Sequence, residues 1–203
     1  MNGMSTCKTQ ILVLIVVLGI GAVYVLTKKE KTPIAEAPVT GLGLECHDSS
    51  KYFVVQKSLA DSVGSNILVK YKASLDQELP CAYTVENGDF EIRNVVAEYF
   101  LTFTDNFLVL DSGTAPPPRG LVVYDLRSRA RVFTDTYARP VTVTGDTIEY
   151  LSKTNQKPTL QNCPNLDDYT TSGLGAVIMS KVSVDLNSLN KTRSGEIECM
   201  ATQ

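Results

Sequence analysis

The run Glu98-Tyr99-Phe100-Leu101-Thr102-Phe103-Thr104-Asp105-Asn106-Phe107-Leu108-Val109-Leu110-Asp111-Ser112 decides the fold class of this chain. Two stretches rich in aromatic and aliphatic residues, 98–104 and 107–112, flank the polar pair Asp105-Asn106. A two-residue polar break between strand formers predicts a tight antiparallel hairpin. The same pattern recurs outward. Residues 121–126 and 132–137 flank an arginine-rich turn, 141–144 and 147–151 flank Gly145-Asp146, and 82–85 and 90–93 flank Glu86-Asn87-Gly88-Asp89. Residues 66–73 and 176–186 mix β-branched and alternating positions, and 197–201 is a candidate partner for the latter. About ten to twelve short strands with regular turn signals predict a mainly antiparallel β domain, either a β-sandwich or a small barrel-like meander. Helical periodicity is weak: residues 58–63 suggest one turn or a short helix, and 94–99 are ambiguous.

Residues 99–137 also have the cadence of a propeller blade, ending in Leu121-Val122-Val123-Tyr124-Asp125-Leu126. Propellers need about four or more blades of roughly 40–50 residues. The domain is too short for that, and the sequence shows no second copy. The cadence is therefore read as an antiparallel meander.

The mean hydropathy of zero averages two unlike parts. Residues 11–26 are uncharged and mostly large aliphatics. As a helix they cover roughly 24 Å. Adding Thr9, Gln10 and Thr27, with Lys8, Lys28 and Lys29 reaching outward, approaches the thickness of a bilayer core. A cleaved signal peptide is the rival reading, but the run ends in charged residues without a small-x-small site, and Ala35-Glu36-Ala37 lies well beyond it. Cys7 precedes the apolar run, which argues against a lipoprotein. The expected organisation is a cytoplasmic tip and transmembrane anchor over 1–31, a Pro/Gly-containing stalk over 32–44 and a folded domain over 45–203.

The remaining four cysteines, Cys46, Cys81, Cys163 and Cys199, are an even set in a small domain behind an export-type segment, which reads as two disulfides. Three connectivities are possible. Near-neighbour pairing, Cys46–Cys81 and Cys163–Cys199, is favoured because it leaves the middle of the domain unlinked. No C-x-x-C occurs, which argues against zinc ribbons and thioredoxin-like chemistry. The lysines flanking the apolar run slightly favour the opposite topology. Cysteine usage outweighs them and places the C-terminal domain outside the cytoplasm of a single-pass cell-membrane protein.

Candidate chemistry is sparse. One histidine and no tryptophan exclude two-histidine metal sites within one chain. Leu108-Val109-Leu110-Asp111-Ser112-Gly113-Thr114-Ala115 resembles the aspartic-protease signature, in which a hydrophobic run leads into Asp-Thr/Ser-Gly. The resemblance covers eight residues and implies Asp111 as half of a dimeric site, since two carboxylates must share a proton. Pro116-Pro117-Pro118 replaces the family's hydrophobic continuation, and a glycine-rich flap is missing before Leu174-Gly175. The plainer reading is that Asp111-Ser112-Gly113 ends a strand. His47 would be the base of any Ser–His–Asp triad, but it sits beside Cys46 at the domain entrance without a nucleophile elbow.

After residue 31 the chain has fifteen Lys/Arg against twenty-one Asp/Glu, a net charge of −6, yet five of its seven arginines fall within 119–139. Arg119, Arg127, Arg129, Arg131 and Arg139 form a candidate anion-binding patch. Positions 127, 129 and 131 would share one face if they lay on a strand. The alternative is a solvated hairpin tip that discourages edge aggregation. Asn165, Asp167 and Asp168 in one loop are weak calcium ligands lacking EF-hand spacing. Asn190-Lys191-Thr192 is a glycosylation sequon. No metal or cofactor is expected.

The expectation from sequence is a membrane-anchored, extracytoplasmic, non-catalytic binding or envelope-associated module. Its partners would be the membrane through residues 11–26, and another envelope protein or an anionic glycan. An acidic exported domain does not suit nucleic acid. The alternative is a hydrolase built on Asp111.

Overall fold

The computed structural model describes residues 43–203. The 11–26 window and most of the 32–44 stalk lie outside them. No helix among the described residues is long and apolar enough to cross a membrane. The described chain forms eleven strands and one short helix: β1 (Leu44–Asp48), β2 (Tyr52–Ser58), β3 (Ser65–Tyr71), β4 (Phe90–Ile92), β5 (Glu98–Phe103), β6 (Phe107–Ser112), β7 (Arg119–Asp125), β8 (Ala130–Thr144), β9 (Thr147–Lys153), α1 (Leu166–Thr171), β10 (Gly175–Asp185) and β11 (Asn190–Thr202). The mainly antiparallel β expectation holds. The strands form two open sheets, a four-stranded one in the order β1-β2-β3-β4 and a seven-stranded one running from β11 to β5 in sequential order. Openness rules out a closed barrel among the described residues.

Residues 130–144 do not divide into two strands. They form the single long strand β8, whose first half pairs with β7 and whose second half pairs with β9. The partner changes between Tyr137 and Ala138, and the register against β9 then shifts between Ala138 and Thr142. The apolar residues of β6 and β7 face two cores. Leu108, Leu110 and Val122 pack with Tyr52, Val54, Ile67 and Val69 of the four-stranded sheet. Phe107, Val109, Leu121 and Val123 pack with Ile148, Tyr150, Val182 and Val184 from the other end of their own sheet. Burial on both faces explains why Phe107-Leu108-Val109-Leu110 is continuously apolar instead of alternating.

The blade-like cadence does have a second copy. Asp125-Leu126-Arg127-Ser128-Arg129 between β7 and β8 is matched by Asp185-Leu186-Asn187-Ser188-Leu189 between β10 and β11. In both, the aspartate accepts the backbone N–H of the serine. The leucine is buried, and the fifth residue takes a left-handed conformation, φ 58° at Arg129 and φ 57° at Leu189. Leu126 N–H donates to the Asn106 carbonyl and Leu186 N–H to the Asp146 carbonyl, each at 2.9 Å. Lys72 N–H donates to the Lys51 carbonyl at the same distance in the four-stranded sheet. The loop between the second and third strands is 113–118 in one unit and 154–174 in the next, which breaks the repeat along the sequence.

Two further expectations are corrected. Residues 82–85 form no strand, and β4 pairs with β3 instead. Asn87-Gly88 makes a turn without a hairpin, because residues 72–89 serve as a cover. Leu79 and Tyr83 pack on Phe53, Val55 and Leu68, the outer face of the four-stranded sheet. Residues 58–63 contain no helical turn. β1 and β2, which the sequence reading did not single out, supply the edge and the centre of this sheet.

Both favoured disulfides form, Cys46–Cys81 and Cys163–Cys199, with Cα separations of 5.8 and 5.1 Å. The first pins the cover over its sheet, helped by Lys70, whose ammonium lies 3.1 Å from Glu86 and 3.3 Å from Asp89. The second ties the segment preceding α1 to β11. Two disulfides point to an oxidising, extracytoplasmic environment.

Candidate functional site

Asp111 lies at the end of β6 and is 8% exposed. Arg119 Nε, on the neighbouring strand β7, donates to Asp111 Oδ1 at 2.7 Å, and the same guanidinium reaches the Gly113 carbonyl. Arg119 also lies over the Tyr99 ring, 5.7 Å from its centroid. Tyr137 lies in the field of Asp111, and burial together with that carboxylate pushes its phenol up to about 12. Asp111 therefore sits among an arginine, a tyrosine and a carbonyl. No carboxylate is hydrogen-bonded to it among the described residues. Locally, Arg119 opens β7 just after Pro118, so the strand brings the guanidinium directly alongside Asp111.

The five arginines do not form one face. Arg127 and Arg129 belong to the four-residue turn between β7 and β8, so strand alternation does not apply to them. Arg127 grips Asp125 with two bonds, at 3.0 and 2.8 Å, and covers the Phe107 ring. Its hydrogen bond, which outweighs the effect of burial, holds the Asp125 carboxyl below the ordinary range. Arg129 donates to the carbonyls of Gly88 and Asp89 and lies over Tyr71. Arg131 faces the field of Glu98, whose carboxyl is raised by burial. Arg139 lines a separate cleft with Leu101, Thr102, Pro140 and Val141.

His47 stacks on Phe100 with ring centroids 3.7 Å apart. Burial holds its imidazole below the usual value, and its buried Nε2 makes no hydrogen bond. Asp167 and Asp168 occupy the first turn of α1, with Asn165 at its N-cap, instead of sharing a loop. Carboxylates favour a helix N-terminus electrostatically. No group of three or more His, Cys, Asp or Glu side chains among the described residues is placed to hold a metal. Asn190, the sequon residue, is exposed at the start of β11.

The sequence reading did not single out two polar assemblies. The first joins the two halves of the seven-stranded sheet beside their apolar core. Asp135 Oδ2 of β8 accepts Tyr150 Oη at 2.6 Å, Ser152 Oγ at 3.1 Å and Lys191 Nζ at 2.5 Å. Burial works to raise the Asp135 carboxyl, but hydrogen bonds led by Lys191 and Tyr150 prevail and hold it below the ordinary range. Arg193 closes the assembly by donating to the carbonyls of Ser152 and Lys153 and to Ser180 Oγ. A cleft of about 480 Å³ opens beside Arg193, Ser194 and Gly195. Ser152 is only 1% exposed and its hydroxyl is engaged by a carboxylate, so it is a bridging group and not a reachable nucleophile.

The second assembly gathers the turns at one end of the strands. Asp146 accepts Thr104 Oγ1 at 2.6 Å, Asn106 Nδ2 at 2.7 Å and Asn187 Nδ2 at 3.1 Å. Burial raises its carboxyl, and these three donors more than reverse that. Tyr71 Oη donates to the Leu126 carbonyl at 2.6 Å, adding the four-stranded sheet to the same end. The outcome is a fixed platform of turns from which Lys51, Asp105 and Arg127 project, each more than half exposed. Only the periodic spacing of the Asp-Leu-x-Ser turns, 60 residues apart, could have announced it. Comparison with protein-family models, curated proteins and solved structures finds no match for this chain.

Proposed function

We propose that this protein is a non-catalytic binding or envelope-associated module, tethered to the cell membrane through residues 11–26, with its β domain outside the cytoplasm. The observation that carries the reading is the platform of turns. It is ordered from within by Asp146 and presents exposed charges of both signs around the Arg127–Arg129 turn. Rigid scaffolds that present loops are a common way to build recognition surfaces. The two disulfides support an exported location. The groups most suited to chemistry are engaged internally: Asp111 by Arg119, and Asp135 by Lys191, Tyr150 and Ser152.

The partner class is another envelope protein, with an anionic glycan as the second choice. A photo-crosslinker placed at Ser128 in membrane-embedded protein is expected to yield a discrete protein adduct, lost when Arg127 and Arg129 are both changed to Glu. Retention on immobilised anionic polysaccharide without an adduct would select the glycan. The absence of both adduct and retention sinks the reading. The hydrolase alternative is decided separately by acid-pH, pepstatin-sensitive proteolysis that disappears in Asp111→Asn.

A further inference from the structure

The two ends of the domain differ in character, and the chain enters at the apolar one. At Gly43 the described chain joins β1, and Ser58 N–H donates to the Gly43 carbonyl at 2.8 Å. The loops at residues 59–64 and 94–97 emerge at this same end, following β2 and β4. Asn94 locks them together: its Nδ2 donates to the Val63 carbonyl, and its N–H donates to Asn66 Oδ1, both at 2.9 Å. Gly64, at φ +94°, permits the close approach, since a Cβ there would lie 2.9 Å from Ala97 Cα. The loop at 113–118 joins them through Gly113 N–H and the Ala97 carbonyl.

Between β2 and β3, β4 and β5, and β6 and β7 these connections carry two charged residues, Asp61 and Arg93, the latter paired with Glu91. They expose Val63 at 59%, Val95 at 90% and Val96 at 55%, with Ala115, Pro116 and Pro117 also exposed. The turns at the opposite end carry Lys51, Asp105, Arg127, Arg129 and Asp146. Adjacent exposed aliphatics on braced loops mark an interaction surface.

We infer that this valine-bearing end docks on the lipid bilayer, with the loops entering the interface and the platform of turns directed away from it. The inference rests on the tethered reading above. Sixteen residues separate Leu26 from Gly43 and can reach no more than roughly 55 Å even when extended. A tether of that reach keeps the domain at an effective concentration on the order of millimolar near the bilayer, so shallow insertion of a few aliphatic side chains suffices. The near absence of charge removes the main cost of entering the interface.

The chain contains no tryptophan, so Val95→Trp creates a unique reporter. The full-length variant is reconstituted into phosphatidylcholine–phosphatidylglycerol vesicles with or without brominated lipid, and Ser128→Trp serves as the reporter for the far end. Flotation of the vesicles and a non-reducing gel check insertion and the disulfides. The expected result is blue-shifted emission from Val95→Trp that brominated lipid reduces by roughly half or more, with Ser128→Trp unaffected. Adding Val63→Ser and Val96→Ser to the Val95→Trp chain should restore most of the emission. Floating protein in which both reporters respond alike overturns the docking inference and leaves the tether standing. A blue shift without quenching also overturns it, by placing a second copy or another protein on the patch. Protein that fails to float removes the tether and the inference with it.

Discussion

Asp135 is the residue whose removal best tests how the seven-stranded sheet is held together. In Asp135→Ala, Tyr150 Oη and Ser152 Oγ lose their shared acceptor, and both residues are 1% exposed. A buried hydroxyl without a partner costs about 1–3 kcal/mol. Ser152 retains Lys191 at 3.2 Å and belongs at the low end of that range. The Lys191 pair adds little, because the lysine side chain is 30% exposed and a solvated pair is worth about 1 kcal/mol or less. The expected loss is about 2–5 kcal/mol. For a domain of this size that lowers the melting temperature by roughly 10 °C. Asp135→Asn keeps a carbonyl acceptor and should lose less than half as much.

The effect also carries a pH signature. The folded state holds the Asp135 carboxyl below its ordinary range, so its contribution is complete above the unfolded value of about 3.9 and disappears as pH falls through the folded value. The gap between parent and Asp135→Ala is therefore widest near neutrality and narrows on acidification below about pH 4. Denaturant titration of the oxidised protein at several pH values measures it. A loss below about 0.5 kcal/mol at pH 7, within the range of ordinary surface substitutions, would refute the bridging role.

The repeated turns predict matched losses: Leu126→Ala and Leu186→Ala should each cost about 2–5 kcal/mol by denaturant unfolding, since both leucines are essentially fully buried. Replacing Cys46 and Cys81 with Ser releases a link spanning 35 residues and should cost roughly 3–4 kcal/mol. Limited proteolysis should then cut first within residues 72–89, and a first cut elsewhere would contradict their role as a cover. Arg119→Met strands a largely buried carboxylate at Asp111 and should cost about 3–5 kcal/mol. Adding Asp111→Leu should recover much of that loss, as equilibrium unfolding of the double variant will report.

Alternation, turn pairs and cysteine spacing determined a good deal on their own. The hairpin around Asp105-Asn106 and the one around Gly145-Asp146 follow from local geometry, because strand period and tight-turn chemistry act over a few residues, while cysteine spacing only favoured one of three disulfide pairings. The tertiary structure alone decided which faces meet. The unbroken apolar run 107–110 is compatible with burial on both sides, but nothing local says which elements cover each face, or marks β8 as one strand serving two neighbours. The same holds for the sites. The arginines are close in sequence, but only the fold decides what each one bonds: Arg127 takes Asp125, and Arg129 takes the Gly88 and Asp89 carbonyls. Asp135, Tyr150, Ser152 and Lys191 lie on three strands up to 56 residues apart and become one assembly only when the sheet folds on itself. Hydrogen bonds and burial depend on distance in space, and a sequence read residue by residue reports distance along the chain.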